Sequence, residues 1–513
     1  MKRSIAKRLA DRKRRIQRRL QRTNRQKYQR AAEDASPVIN TNAQHYELAD
    51  KNRGIVDGGI PLMHRLANES GLVGAIDRRL HLLKIHVPYH ESDHVLNLAF
   101  NALCGGTCLQ DIELRRNDEC FLDAIGADAI PDPTTAGDFC RRFEATDIRT
   151  LMKAINEARL NVWKRQDDDF LEEAIIEMDG TFVITAGECK QGMDISYKGT
   201  WGYHPLLLTL ANTGEVLSII NRSGNRPSEE GAAAEANRAI ALCRQGGFRG
   251  VRLRGDTAFS QTEYLDGWDD DGVVFQFGYA ALPNLKEIAE NLAKSSWQKL
   301  QRSAAYQRQG PTRDRPPRVK RQVIREREFV HLELKSEEVA EFDYKPTACD
   351  RNYRMIVVRK NISKEKGERR LYDEVRYLFY ITNDRQASVA DVVFGCNDRC
   401  DQENLIAQLA GGVRALSAPV DNLVSNWAYM VMTSLAWTLK AWSALWLPVE
   451  GRWREQHRAE RQSLLRMEFK TFVNAMIKIP CQIVRGGRQV VLRVLNWNQY
   501  LPSFFRLSRV LRC

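Results

Sequence analysis

Between residues 171 and 282, short apolar runs alternate with helical stretches, a pattern that predicts an α/β core built on a mixed sheet with flanking helices. Two further observations complete the fold class. From 283 to 395 the alternation gives way to strand-like runs, which predicts a β-rich insertion. Before and after this region the periodicity is helical, predicting an α-helical N-terminal region and a helical C-terminal segment.

The elements follow in order. AIIEMD, ending at Asp179, reads as a strand, with Gly180 behind it. PLLLTL and VLSII read as a hairpin turning at Asn212–Glu215. SEEGAAAEANRAIALCRQGG is a helix stopped by Gly246 and Gly247. VRLRGD and VVFQFGY are strands, and between them SQTEYLDGW opens with a capping box from Ser260 to Glu263. A helical piece, LPNLKEIAENLAK, leads into a basic, Pro-rich exposed loop, QRQGPTRDRPPRVKRQV. FVHLELK, YRMIVVRK and VRYLFYITN are the strands of the insertion, and DRCDQENLIAQLA returns to helix before Gly411 and Gly412. Upstream, residues 55–165 carry short helices between Gly and Pro turns, with Thr135 and Asp138 in the form of a helix start. The divisions are 1–50 (basic arm and linker), 51–168 (helical region, of a kind that suits DNA binding or assembly), 169–282 (core, first part), 283–395 (insertion), 396–450 (core, second part) and 451–513 (C-terminal helical segment).

The formal charge is +13, and its location says more than its size. Residues 1–30 hold fourteen of the chain's 78 bases and one of its 65 acids; the other 483 residues carry 64 of each and are neutral. The basicity is an arm, and a like-charged block of this kind suits a nucleic-acid backbone, with Arg12, Lys13, Arg14, Arg15, Arg18 and Arg19 as its densest part. No apolar core follows the positive run, so it does not read as a secretory signal. Eleven cysteines, with no pair of pairs at zinc-finger spacing, read as reduced thiols of a cytosolic protein. Trp427–Leu447 has the length of a membrane span, but Thr433, Ser434, Thr438, Lys440 and Ser443 make it a buried core helix instead. No membrane partner and no small-molecule substrate are expected.

Carboxylates carry the chemistry. Asp179 ends the first strand of the α/β unit, Asp256 ends the strand after its long helix, and Glu403 lies on a helix 147 residues further on. Alone, Asp-Gly is an ordinary turn dipeptide. Together, two strand-end aspartates and a helical glutamate suit a pair of hard divalent ions acting on a phosphodiester. A competing motif, HESDH at 90–94, has the letters of a zinc-protease helix. Pro88 upstream and the cap-like Ser92-Asp93 place the helix start inside it, which puts the first His outside the helix.

MDGTF (178–182), GDTAFS (255–260) and DRCDQEN (398–404) resemble the motifs of the DDE transposases of bacterial insertion sequences, in the subgroup whose RNase H-like core is split by a β-rich insertion. The resemblance runs over roughly 55–450 and includes NLAFNALCGGT, PDPTTAGDF and GYHPLLL. In that subgroup the third-carboxylate motif is Tyr, two residues, Arg, three residues, Glu, six residues, Lys. Arg399 and Glu403 keep it, while Cys396 and Ala410 replace the Tyr and the Lys. The resemblance implies Asp179, Asp256 and Glu403 as catalytic ligands of two Mg²⁺ or Mn²⁺ ions, and Arg399 as a phosphate contact. It also implies Lys198, Tyr203 and His204 near the site. Its expected partners are double-stranded DNA, as transposon ends and target, and a second copy of the chain in the DNA complex, in the bacterial cytoplasm at the nucleoid. The alternatives are a catalytically silent DNA-binding descendant of such an enzyme and, third, a zinc metalloprotease through HESDH.

Overall fold

A computed structural model of the chain describes residues 3–30, 53–84, 88–301, 319–367, 369–397, 400–486 and 489–511. The expected linker at 31–50 and residues 307–318 of the basic, Pro-rich loop lie outside them, while the end of that stretch, 319–323, is helical and not loop. The arm is a helix, α1 (Arg3–Arg30). It rests on the far end of the chain: Arg12 Nη1 donates to the Val494 carbonyl at 2.6 Å, and Lys13 Nζ lies 5.1 Å from the centre of the Trp497 ring.

A short strand, β1 (Arg53–Ile55), precedes a helical region. Its helices are α2 (Ile60–Glu69), α3 (Leu72–Arg79), α4 (Glu91–Leu103), α5 (Glu113–Arg116), α6 (Glu119–Ile125), α7 (Pro133–Arg141) and α8 (Ala145–Trp163). The helix start foreseen at Thr135 lies earlier. Asp132 caps α7, accepting from the Thr135 N–H at 2.9 Å, and Pro133 fills the first helical position, where its missing N–H costs nothing.

The central sheet begins at β2 (Glu173–Gly180). A small three-stranded sheet of β3 (Val183–Ile184), β4 (Asp194–Ile195) and β5 (Trp201–Tyr203) interrupts it, and β6 (Leu206–Leu210) and β7 (Glu215–Ile220) follow as the hairpin. Helix α9 (Ala232–Gln245) crosses to β8 (Gly250–Gly255), and α10 (Leu265–Asp270) to β9 (Val274–Tyr279). The capping box at Ser260 does not form. Two 3₁₀ turns occupy Thr257–Phe259 and Thr262–Tyr264, and α10 starts at Leu265 without a side-chain cap.

After α11 (Pro283–Asn291), β10 (Gln298–Lys299) and α12 (Val319–Glu326) come three long antiparallel strands, β11 (Val330–Tyr344), β12 (Tyr353–Lys366) and β13 (Arg369–Thr382). They do not make a sheet of their own. β13 pairs with β9, giving one nine-stranded sheet ordered β10-β11-β12-β13-β9-β8-β2-β6-β7. β2 is parallel to β8 and β8 to β9, while β2-β6-β7 is antiparallel, so the sheet is mixed.

The chain continues through α13 (Val389–Asn397), α14 (Cys400–Ala407), α15 (Leu423–Leu445), α16 (Arg454–Arg466) and α17 (Phe469–Phe472). Helix α15 is buried from Ser425 to Leu445, as its composition requires, and packs against α4, α8 and β7. No described helix is long and apolar enough to cross a membrane. The C-terminal segment is not purely helical. β14 (Cys481–Gly486) and β15 (Gln489–Val494) form a hairpin before α18 (Leu501–Val510), and β14 pairs with β1. QVVLRV is rich in β-branched valine, a strand signal masked by the helical stretches on both sides.

Candidate active site

β-Branched and apolar residues make β2: Ala174, Ile176 and Met178 are fully buried on one face, against α9. Val251 and Leu253 do the same in β8. The last pair of the parallel ladder is Met178 with Gly255. Asp179 and Asp256 are therefore the next residues of two neighbouring strands, about 4.8 Å apart in the pairing direction. Both are half-buried at the carboxyl ends of the strands. Asp256 also caps the 3₁₀ turn, its Oδ1 accepting from the Ala258 N–H at 2.9 Å, which fixes the rotation of the carboxylate. Gly255 allows this turn to fold back, since a Cβ there would meet Phe259 Cβ at 2.7 Å.

Glu403 sits exposed on α14, between the buried Gln402 and the exposed Asn404. Among the described residues, the one set of three His, Cys, Asp or Glu side chains with ligand atoms within 4.8 Å is His331, Glu333 and Glu365, on the long ribbon. The structure thus sets the two aspartates side by side, while Glu403 is not gathered with them to that distance. The ribbon set is an ion-pair network: Lys335 Nζ lies 3.0 Å from both Glu333 and Glu365, and His331 Nε2 is 3.2 Å from Glu365. The Lys335 ammonium already offsets one of the two negative charges of these carboxylates.

Arg399 lies outside the described residues. The three other residues expected near the site separate. His204 Nδ1 donates to the Arg226 carbonyl at 2.8 Å, and its Nε2 faces Gly180, where a Cβ would come within 2.9 Å. Burial lowers the His204 pKa, so its imidazole is held neutral beside the end of β2. The absent side chain at Gly180 makes room for His204 and for Ser228, whose Oγ would be 3.1 Å from that Cβ. Tyr203 is a core residue whose hydroxyl donates to the Gln191 carbonyl at 2.8 Å. Lys198 is exposed at the tip of the β4–β5 hairpin, 5.3 Å from the Tyr197 ring centre.

The HESDH motif forms no helical metal pair. Helix α4 begins at Glu91, and His90 is its N-cap, bonded to Asp93 through its own backbone N–H at 2.8 Å. His94 stacks on Phe139, with ring centres 4.3 Å apart, and burial lowers its pKa to about 4. It is a packed core histidine.

A row of polar residues went unnoticed in the sequence. Paired across the sheet, it reads Thr209 (β6), Glu177 (β2), Arg254 (β8), Gln276 (β9), Thr382 (β13) and Arg354 (β12). It lies two residues before Asp179 and Asp256, on the face those aspartates share, because side chains alternate along a strand. Glu-x-Asp at 177–179 and Arg-x-Asp at 254–256 are the signal that reveals it.

A large mixed sheet with acidic residues at the carboxyl ends of adjacent parallel strands places the chain among α/β proteins that work at strand ends. Residues 52–512 match the Transposase DDE domain group 1 family, and the chain belongs to it. No curated protein matches the sequence. Among solved structures, the chain is 11% identical to a piggyBac transposase in a synaptic complex with hairpin DNA, over 83% of this chain and 85% of that one, with a TM-score of 0.35. That likeness is too loose to bear on function.

Proposed function

We propose that the chain is the transposase of a bacterial insertion sequence, which binds the terminal inverted repeats of its element, cuts DNA strands there and joins the freed 3′-OH ends to target DNA. The register that sets Asp179 beside Asp256 carries this reading. Family membership supports it, as does the order of the core: an antiparallel β7-β6-β2 meander continued by parallel β8 and β9, which suits an RNase H-like fold.

Asp179, Asp256 and Glu403 would hold two Mg²⁺ or Mn²⁺ ions, since an all-carboxylate donor set suits hard cations. Bound there, such ions supply Lewis-acid stabilisation of the attacking and leaving oxygens of a phosphodiester. The chain's own part is orientation. The Ala258 N–H holds one Asp256 oxygen, and the two rigid strands fix the separation of the aspartates. DNA phosphates would be engaged by Arg399 and by the exposed Arg14, Arg15, Arg18 and Arg19 of α1. A homodimer would bring two ends together, in the cytoplasm at the nucleoid.

The test is strand nicking on a duplex taken from the inverted repeats that flank the reading frame. The parent should cut with Mg²⁺ and not with a chelator, while Asp179→Asn, Asp256→Asn and Glu403→Gln should each fall to background. A variant that cuts like the parent removes its residue from the triad. Cys396 and Ala410, at the family's Tyr and Lys positions, favour a second reading, a DNA-binding protein without activity. It expects tight binding of the same duplex and no cutting by the parent.

A further inference from the structure

The polar row behind the aspartates is unusual for its place. On the opposite face the neighbouring row is Leu208, Met178, Gly255, Phe277, Ile381 and Met355, wholly non-polar and packed. The polar row is nearly as enclosed: Glu177 is 2% exposed and Gln276 3%. Arg254 Nη1 is 3.6 Å from Glu177 Oε1, while Arg254 Nε and Gln276 Oε1 have no hydrogen-bond partner among the described residues. A buried ion pair seldom stabilises a fold better than well-packed apolar groups of the same volume. Stability therefore does not explain the row.

Its position points to a role. Helix α13 lies directly on it, and a Cβ at Gly395 would sit 2.8 Å from Gln276 Oε1 and 3.8 Å from Arg254 Nη2. The loop that enters α13 is fastened to the same face. Arg252 pairs with Asp384 at 3.0 Å, and Arg354 Nη1 donates to the Asp384 and Ala387 carbonyls at 3.0 and 2.6 Å. Helix α14, which carries Glu403, follows α13 in the chain.

We propose that Glu177, Arg254 and Gln276 are positioning residues: with Gly395 as the point of contact, they seat α13 against the strands that bear Asp179 and Asp256, and so direct the chain into α14, which carries the third carboxylate. This rests on the reading of the three carboxylates as metal ligands. Arg254 and Gln276 act through α13, and Glu177 keeps the Arg254 guanidinium in place from the neighbouring strand.

The test measures Mn²⁺ binding to the purified full chain by the loss of the free-ion electron paramagnetic resonance signal, alongside thermal unfolding and nicking. Gly395→Ala should improve helix propensity and leave the unfolding midpoint unchanged or higher. It should nevertheless weaken Mn²⁺ binding by about tenfold or more, the usual effect of disturbing groups that orient metal ligands. The double change Glu177→Met with Arg254→Met should keep the unfolding midpoint and still lose Mn²⁺ affinity. If that double variant and Gly395→Ala both bind Mn²⁺ as the parent does, the positioning role is overturned. Asp179→Asn with Asp256→Asn separates the two ideas. Unchanged Mn²⁺ binding in that pair would sink the metal-ligand reading itself, whereas lost binding there and intact binding in the row variants would sink the positioning role alone.

Discussion

Glu215 shows how a single residue ties the helical region to the sheet. It is fully buried at the start of β7, and its carboxylate accepts four hydrogen bonds: Arg159 Nε at 3.0 Å, Trp163 Nε1 at 3.0 Å, Thr213 Oγ1 at 2.8 Å and Trp442 Nε1 at 2.7 Å. Two donors come from α8 and one from α15, so one carboxylate joins three elements. Removing one partner of a buried charge network leaves the other unpaired, which costs about 3–5 kcal/mol. Glu215→Ala should lower the midpoint of urea unfolding accordingly, and the fluorescence of Trp163 and Trp442 reports it locally. A midpoint within experimental error of the parent would contradict this account. At the same scale, Asp179 and Asp256 were legible because each ends a strand-like run, next to glycine. Glu215 was not legible, because a Glu after a turn reads as solvated surface until the partners from α8 and α15 are known.

Among the elements, α15 was the most legible and carries an unexpected charge. Its long but only moderately apolar composition marked it as a core helix, and it is one. Lys440 lies in its middle, 1% exposed, with Nζ donating to the Leu465 carbonyl at 2.7 Å and 4.0 Å from the Trp437 ring centre. Burial lowers its pKa from 10.5 to about 7. With the folded value depressed, the unfolded chain holds more protons between these two pH values, so stability should rise as pH climbs from about 7 to about 10.5 and be lowest below that window. The effect is on the order of 5 kcal/mol across the window. Lys440→Met should flatten the slope of unfolding free energy against pH over that range, and an unchanged slope would refute the assignment. The less legible elements depend on partners distant in sequence. The ribbon strands β11–β13 read correctly as strands, yet nothing local announced that β13 would join β9 and extend the core sheet. The β14–β15 hairpin was missed because its third strand, β1, is three residues long and lies more than 400 positions away. The row through Glu177, Arg254 and Gln276 exists only once the strand register is known.

At the scale of the whole molecule, the separation of charge becomes a statement about binding. The body is neutral, while α1 holds nearly all of the chain's net charge. The fold brings the two ends of the chain together: β1 pairs with β14, and α1 reaches β15 and Trp497 through Arg12 and Lys13. Arg12 and Lys13 are thus held against the C-terminal end of the chain and Arg14 pairs with Asp11 of its own helix at 2.8 Å, while Arg14, Arg15, Arg18 and Arg19 all remain exposed on α1. Each phosphate neutralised on a duplex adds about 0.9 to the slope of log affinity against log salt. Replacing Arg14, Arg15, Arg18 and Arg19 together by Gln should then reduce that slope by up to about 3–4, measured by fluorescence anisotropy on a labelled duplex of arbitrary sequence. Arg12→Gln with Lys13→Gln removes two charges of the same sign but should lower the slope by less than any two of the four, because its main effect is to loosen α1 from the C-terminal hairpin. That loosening should appear as faster proteolysis between α1 and β1. Equal slopes for the parent and the fourfold variant would mean that the arm does not meet phosphate, and the neutral body would then have to supply the DNA-binding surface by itself.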